Sequence, residues 1–329
     1  MNHRLRIGMV GAGMISAAHA EAWAHLGADV AVYSLAGADE VVAATGGRAV
    51  PALDELWDLC DIVDVVTPTP SHKEIVLAAI AAGKDVICEK PLARNVADAT
   101  EMIAAAQHAG VRLIPAHVVR YFPEYVAIKQ AADDGLLGDL AVLRFSRSSG
   151  APAAGSWFFD EELSGGIVMD QMLHDLDQAR WIAGPITSVY AAQAPASIGG
   201  KTPDAAAAHV TLTHASGAIS LAQGLWGARS LPFATSVEVA GSAGVLRHSS
   251  AETRTATRVG SEPPAGYLPA GDPSQSPYLL EIRDLAEAIV AGTEPRVSTR
   301  DGVIAIALAQ AASESIASGR PVAFDEALL

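Results

Sequence analysis

The stretch Leu5–Leu26, LRIGMVGAGMISAAHAEAWAHL, decides the fold. Leu5–Val10 is an apolar run of strand character that breaks at Gly11-Ala12-Gly13 and resumes as a helical stretch, Ile15–Leu26. A strand, a glycine turn and a helix in that order make a cradle for a pyrophosphate. Gly11 permits the tight turn, Gly13 lets the backbone approach the phosphates, and the helix N-terminus attracts their charge. Met14 and Ile15 complete the loop's contacts, and Ser16 takes the third glycine position while staying small enough for close helix packing.

The alternation repeats through the first third of the chain. Val30–Ser34 is a second strand, and Ile62–Thr67 (IVDVVT) a third, followed by a helical His72–Ala82. Asp85–Cys88 is a further short strand with a helical Val96–Ala109 behind it, and Leu113–Ala116 closes the series. Strands that read as continuous apolar runs belong to parallel sheets covered by helices on both faces. Residues 1–120 are therefore expected to form a doubly wound, dinucleotide-binding Rossmann domain within an α/β protein.

After about Arg120 the pattern changes. A helix (Pro123–Asp134), a strand (Ala141–Ser148), a loop (Ser149–Gly155) and another helix come first. Strands then follow one another at Ile186–Ala194, Ala208–Thr213, Ala218–Gly224, Ser236–Ala240 and Gly244–His248, with a hairpin turn at His214–Gly217. Strands in succession without helices predict a largely antiparallel sheet. Glu262–Pro277 reads as an exposed loop, and helices over Tyr278–Ala291 and Thr299–Ser318 end on Gly292 and Gly319. Residues 121–329 are expected to form a second, α/β domain.

Composition limits the function. Half of the 329 residues are hydrophobic, and 22 basic against 37 acidic residues leave a net charge of -15. That charge repels phosphate backbones and anionic lipid and argues against nucleic-acid and membrane-surface roles. Cys60 and Cys88 are the only cysteines, too few for a disulfide framework or a thiolate zinc site. No apolar run reaches the roughly 18 residues of a membrane span. The basic start followed by apolar residues is like a signal peptide, but His19, Glu21 and His25 interrupt the run. The expectation is a soluble cytoplasmic protein with no nucleic-acid or membrane partner.

Four sites carry the chemistry. The carboxylate that holds the ribose usually ends the second strand, about 20 residues past the glycine loop. Ser34 stands there, and Leu35–Ala38 adds neither a carboxylate nor an arginine, so NAD and NADP both remain open. Thr67-Pro68-Thr69-Pro70-Ser71-His72 ends the third strand, where open α/β sheets face their ligand. That position assigns Thr67, Pro68, Thr69 and His72 to the cofactor, with Ser71 as a helix cap. Glu89-Lys90-Pro91 ends the next strand, so Lys90 either points into the same crevice, with Glu89 beside it at the cofactor, or stands as a solvated surface lysine. In Gly165–Asp177 (GGIVMDQMLHDLD), Asp170, His174 and Asp177 share one α-helical face beside the stripe Met169, Met172, Leu173 and Leu176. A carboxylate beside an imidazole can orient and tune it for proton transfer. The alternatives are a solvated ladder of i,i+4 pairs and a His–Asp metal site. The latter is short of ligands, and no metal is expected.

Together these stretches resemble the Gfo/Idh/MocA family of sugar and inositol oxidoreductases. The matching pieces are Gly11–Ser16, Thr67–His72, Glu89-Lys90-Pro91, Arg120-Tyr121-Phe122-Pro123, and Gly165–Asp177 with Trp181 and Gly184. The resemblance implies a Rossmann domain and a substrate-binding and oligomerisation domain whose open sheet face packs on another subunit, in a homodimer or homotetramer. It implies Lys90 beside the nicotinamide and the reacting hydroxyl, His174 as general acid/base and Asp170 as its partner. Arg120, Trp157 and the loop Ser149–Gly155 would join these three against the substrate. The implied reaction is NAD- or NADP-dependent transfer of a hydride between the cofactor and a secondary alcohol or ketone of a sugar, inositol or related polyol. Redox-neutral elimination or glycoside cleavage through transient oxidation is one alternative, and a ligand-sensing relative without turnover is another.

Overall fold

The computed structural model describes residues 4–251 and 276–329. In chain order the first stretch gives β1 (Arg6–Val10), α1 (Ser16–His25), β2 (Asp29–Tyr33), α2 (Ala38–Thr45), β3 (Arg48–Ala49) and α3 (Leu53–Trp57). β4 (Ile62–Val65), α4 (His72–Ala81), β5 (Asp85–Glu89), α5 (Val96–Ala109) and β6 (Leu113–Ala116) follow. Then come α6 (Pro123–Asp133), β7 (Leu140–Gly150), α7 (Glu161–Ser164) and α8 (Leu173–Ala183). β8 (Ile186–Ala194), β9 (Ala206–His214), β10 (Ile219–Gly227), β11 (Ala234–Gly241) and β12 (Val245–Ser249) complete the run of strands. After the break come α9 (Pro277–Ala291), α10 (Thr299–Ser318) and β13 (Val322–Ala323).

The chain divides into two compact units. The first holds residues 4–122 together with 276–303. Its six strands are all parallel, in the order β3-β2-β1-β4-β5-β6. The order reverses between β1 and β4, so their C-terminal ends flank the switch point where such sheets bind ligands. Ile7, Met9, Val30, Val32, Trp23 and Ile87 fill the core on one side, and Leu279, Ile282 and Leu285 of α9 close it. The sequence reading assigned α9 to the second domain. Its apolar stripe instead packs on this first core, against α1. A helical stripe declares that a face is buried, not which sheet buries it.

The second unit holds residues 123–251 and 304–329. Its seven strands run β12-β11-β7-β10-β9-β8-β13, antiparallel except for the parallel pair β7 and β10. The expected hairpin turn is present, with Gly217 N–H donating to His214 O at 2.9 Å. α8 covers one face, against β7, β9 and β10. The other face presents the row Tyr190, Thr211, Leu221, Arg144, Glu238, Arg247, one residue from each of six neighbouring strands. Tyr190 is 43% exposed and Leu221 39%. The loop expected over 262–277 lies outside the described residues as far as 275.

Candidate active site

The glycine loop sits at the switch point of the parallel sheet. Gly11 N–H donates to Tyr33 O at 2.9 Å, and the residue holds φ +109°, a conformation only glycine takes without strain. A Cβ there would lie 2.9 Å from Val66 O and 3.0 Å from Thr67 N. Gly13 is the opposite case, because a Cβ added to it meets no atom within 4 Å. The loop is thus closed against the protein at Gly11 and open at Gly13, where a ligand's phosphates would come against bare backbone. The Ser16 hydroxyl donates to Gly13 O at 2.5 Å and pins the loop's curve, and no side chain caps the start of α1. These residues fit a dinucleotide. Met14 is exposed and Ile15 half-buried at the same turn.

At the end of β2 the Ser34 hydroxyl donates to Ala36 O at 2.6 Å and turns the chain into α2. Gly37 then comes close to the glycine loop, its would-be Cβ 3.1 Å from Ala12 O, with Glu40 Oε2 at 3.6 Å. Asp39 and Glu40 make the first turn of α2 acidic, a feature that lies just past the residues the sequence reading weighed.

The loop after β4 differs from expectation. Ser71 precedes α4, but its side chain does not cap the helix. A 3-10 turn over Thr69–Ser71 runs straight into α4 and keeps Ser71 helical, so its hydroxyl bends back to Thr67 Oγ1 at 2.9 Å and Pro68 O at 2.8 Å. Thr69 is buried. His72 is buried too, with ring nitrogens 3.0 Å from Pro91 O and 2.9 Å from Thr67 O. It was expected at the cofactor, yet it ties the β4 loop to the Lys90–Pro91 loop. Burial holds its pKa below the ordinary histidine value, with the two carbonyls pulling the other way.

Lys90 directly follows β5, and its backbone N–H is joined to a buried charge network. The Glu89 carboxylate, also expected at the cofactor, turns inward. Its Oε2 accepts from Lys90 N–H at 2.9 Å, and its Oε1 stands 3.1 Å from His19 Nε2. His19 Nδ1 lies 3.0 Å from Asp64 Oδ2, to which Trp23 Nε1–H donates at 2.7 Å. Burial alone would lower the pKa of His19, but Asp64 and Glu89 outweigh it and hold the imidazole well above its ordinary value. Burial pushes Glu89 up, and His19 with Lys90 pulls it below the carboxylate range. Sequence reasoning missed His19 and Asp64, which look like ordinary members of an apolar helix and strand.

In the second unit, Asp170 and His174 stand apart from their surroundings. Every residue from Gly166 to Ala179 is buried except these two, which are half-buried. A solvated ladder is thereby ruled out. Asp177 is buried, and so does not share their face. The reason is local: Val168–Met172 forms a π turn before α8 begins, so the α-helical i, i+4, i+7 register does not run through this segment. π turns of this kind cluster at functional sites. Among the described residues no group of three or more His, Cys, Asp or Glu side chains is arranged to hold a metal.

Of the expected substrate contacts, Arg120 is committed to partners within its own unit. Arg120 is buried inside the first unit, its Nη1 3.1 Å from Asp301 Oδ2 and 3.3 Å from Arg296 O. A buried guanidinium needs such partners, and these tie the 3-10 turn Val118–Tyr121 to Arg296 and to the first turn of α10. Trp157 stacks on Phe158 with ring centroids 4.2 Å apart and is half-buried. Tyr121 donates to Asp284 Oδ2 at 2.6 Å, and burial holds its pKa well above the ordinary tyrosine value, which unfits it to serve as a base.

A parallel sheet with an open glycine loop at its switch point defines a dinucleotide-binding protein. The chain belongs to the Gfo/Idh/MocA family. The family's oxidoreductase model, with its NAD-binding Rossmann fold, matches residues 5–117, and its C-terminal domain matches 125–247. D-apiose dehydrogenase of Paraburkholderia graminis is 31% identical, over 97% of this chain and 89% of its own. Myo-inositol 2-dehydrogenase of Thermotoga maritima is 30% identical over 82% and 81%. The crystal structure of GenD2 from gentamicin A biosynthesis in complex with NAD superposes with a TM-score of 0.85 at 28% identity, covering 99% of this chain and 97% of that one. The protein is an NAD-binding oxidoreductase.

Proposed function

We propose that this enzyme oxidises a secondary alcohol of a sugar, inositol or related polyol, or reduces the matching ketone, with Lys90, Asp170 and His174 as its chemical groups. The observation that carries this is the exposure of Asp170 and His174 alone along Gly166–Ala179. Folding leaves a carboxylate and an imidazole accessible where everything around them is sealed. The cofactor supplies the two-electron acceptor when bound. His174, as neutral imidazole, takes the alcohol proton, and Asp170 orients the ring and balances the charge it gains. The Lys90 ammonium stabilises negative charge building on the substrate oxygen. The names of the relatives support the substrate class.

NAD is the preferred cofactor in this reading. The acidic turn Asp39–Glu40 beside Gly37 disfavours a 2′-phosphate and substitutes for the missing acid at Ser34. A panel of polyols and sugars, assayed with NAD and NADP by absorbance of the reduced cofactor, tests both points. Turnover with at least one polyol and a higher kcat/KM with NAD is expected. A panel with no turnover despite bound NAD speaks for a ligand-sensing protein.

The exposed sheet face supports a homo-oligomer. Tyr190, Ile219 and Leu221 form an apolar strip on the uncovered side, and such patches mark interaction surfaces. Light scattering at micromolar concentration should give a dimer or tetramer, and Leu221→Arg should weaken it. The acidic charge, and the lack among described residues of any helix able to cross a membrane, support a soluble cytoplasmic enzyme.

A further inference from the structure

Gln171 and Asp175 directly follow Asp170 and His174 in the chain, and both are fastened to one residue, Arg147 of β7. Gln171 Nε2 donates to the carbonyl of Arg147 at 3.0 Å and of Leu225 at 3.5 Å. The Arg147 guanidinium closes two parallel bonds on Asp175, Nε to Oδ2 at 3.0 Å and Nη2 to Oδ1 at 2.9 Å. In the parallel pair of β7 and β10, Arg147 lies opposite Gly224 and Ser148 opposite Leu225, so the single Gln171 amide spans two strands. Gly224 adds a third anchor, since a Cβ there would stand 2.5 Å from Met172 Cγ. The π turn is therefore pinned to the sheet at its C-terminal end, by Gln171 and Met172, and again just after it, by Asp175.

Stability does not account for Gln171. The residue is 1% exposed, and its Oε1 has no hydrogen-bond partner. The cost of the unpaired Oε1 offsets what the two donated bonds contribute, so methionine, of similar volume, would change stability little. What the amide does supply is a fixed distance between helix and sheet at the residue between Asp170 and His174.

We propose that Gln171, anchored on the Arg147 carbonyl, is a positioning residue that holds the π turn and so sets the relative placement of Asp170 and His174. It rests on the acid–base reading of His174. Gln171→Met, made in the wild type and in a His174→Ala background, tests it. The melting temperature should stay or rise, NAD affinity by calorimetry should stay within about twofold, and kcat should fall at least about tenfold with a smaller change in substrate KM. In the His174→Ala background the further loss should vanish, because residues acting through one group are non-additive. An unchanged kcat, or an equal loss in both backgrounds, overturns the proposal while leaving the acid–base reading intact. Full turnover by His174→Ala alone overturns that reading and the proposal with it. Should Gln171→Met not fold, Gly224→Ala lifts Met172 and the turn from the sheet. The same non-additive loss of kcat is expected, and its absence overturns the proposal.

Discussion

The backbone N–H of Lys90 donates to Oε2 of Glu89 at 2.9 Å, while Oε1 of the same carboxylate meets His19 Nε2 at 3.1 Å. The strand end that presents the lysine is thus fixed by charge buried beneath it. Asp64 completes the network on the far side of the imidazole. An ion pair in this setting adds little over well-packed apolar residues, but removing one member leaves an uncompensated buried charge. Its benefit is geometric: the Lys90 peptide has one place to be.

His19 keeps Asp64 as a partner, so Glu89→Gln should destabilise the fold by about 1–3 kcal/mol at neutral pH, the scale of losing hydrogen bonds to a buried charged group. The pKa directions give the sign with pH. Glu89 is depressed below its ordinary 4.5, so its contribution is present above that value and is lost as pH falls through the lower folded pKa. His19 is raised above 6.5, so its contribution is present below that value and is lost as pH rises through the raised one. Denaturant unfolding of both proteins from acid to alkaline pH checks this. Equal stability of variant and wild type at pH 7 would show that the network is energetically idle.

Glu281 behaves in the opposite way. It lies fully buried on α9 with neither oxygen hydrogen-bonded. Burial raises its pKa, and Glu89, Asp64 and Asp284 raise it further against an opposing pull from His19. The folded protein keeps this proton after the unfolded chain has released it, so the residue costs stability as pH rises above about 4.5. Glu281→Gln should raise the melting temperature at pH 8 and have a smaller effect at pH 4. The stabilisation expected at pH 8 is on the order of 1–3 kcal/mol, the scale of an uncompensated buried group. A gain that is the same at both values, or none, contradicts a retained proton.

The parts of the site that were legible in sequence are those where sterics dictate residue type. Gly11 must be glycine at φ +109°, and apolar strand runs betray a sheet covered on both faces. Asp170 and His174 were legible as a pair, but the π turn between them leaves no mark that an α-helical period could detect. Partnerships across long separations were not legible. Arg120 reads as a substrate contact until Asp301, 181 residues later, is seen to neutralise it. Glu89 reads as a cofactor contact until His19, 70 residues earlier, is placed against it. α9 carried its stripe openly, yet its sheet lies more than 150 residues back in the chain.

The two loop glycines should separate cleanly on substitution. Gly13→Val leaves the fold intact, since its Cβ enters open space, but occupies the volume where phosphate would meet the backbone. Calorimetry should find NAD affinity reduced at least about a hundredfold, roughly 3 kcal/mol, with an unchanged melting temperature. Gly11→Ala meets Val66 O at 2.9 Å in a strained conformation and should lower the melting temperature. Unaltered NAD affinity in folded Gly13→Val removes the loop from the cofactor site.

His174 and Lys90 should part in their pH profiles. If His174 takes the alcohol proton, oxidation rises with pH along a limb whose apparent pKa belongs to the coupled groups around it. His174→Ala should erase that limb and lower kcat by roughly 10²–10⁴, the range for losing a positioned acid–base group. Lys90→Met should lower kcat by roughly 10²–10³, as the loss of one charge-stabilising donor does, while keeping the limb. NAD affinity should change little in His174→Ala, because the glycine loop and the ends of β1 and β4 belong to the first unit and His174 to the second. Stopped-flow measurement of cofactor reduction across pH, with NAD saturating, separates these effects from product release. A His174→Ala enzyme that keeps both the limb and near-native turnover places the base elsewhere. With Tyr121 held by Asp284 and its pKa driven up by burial, Lys90 would be the next group to test.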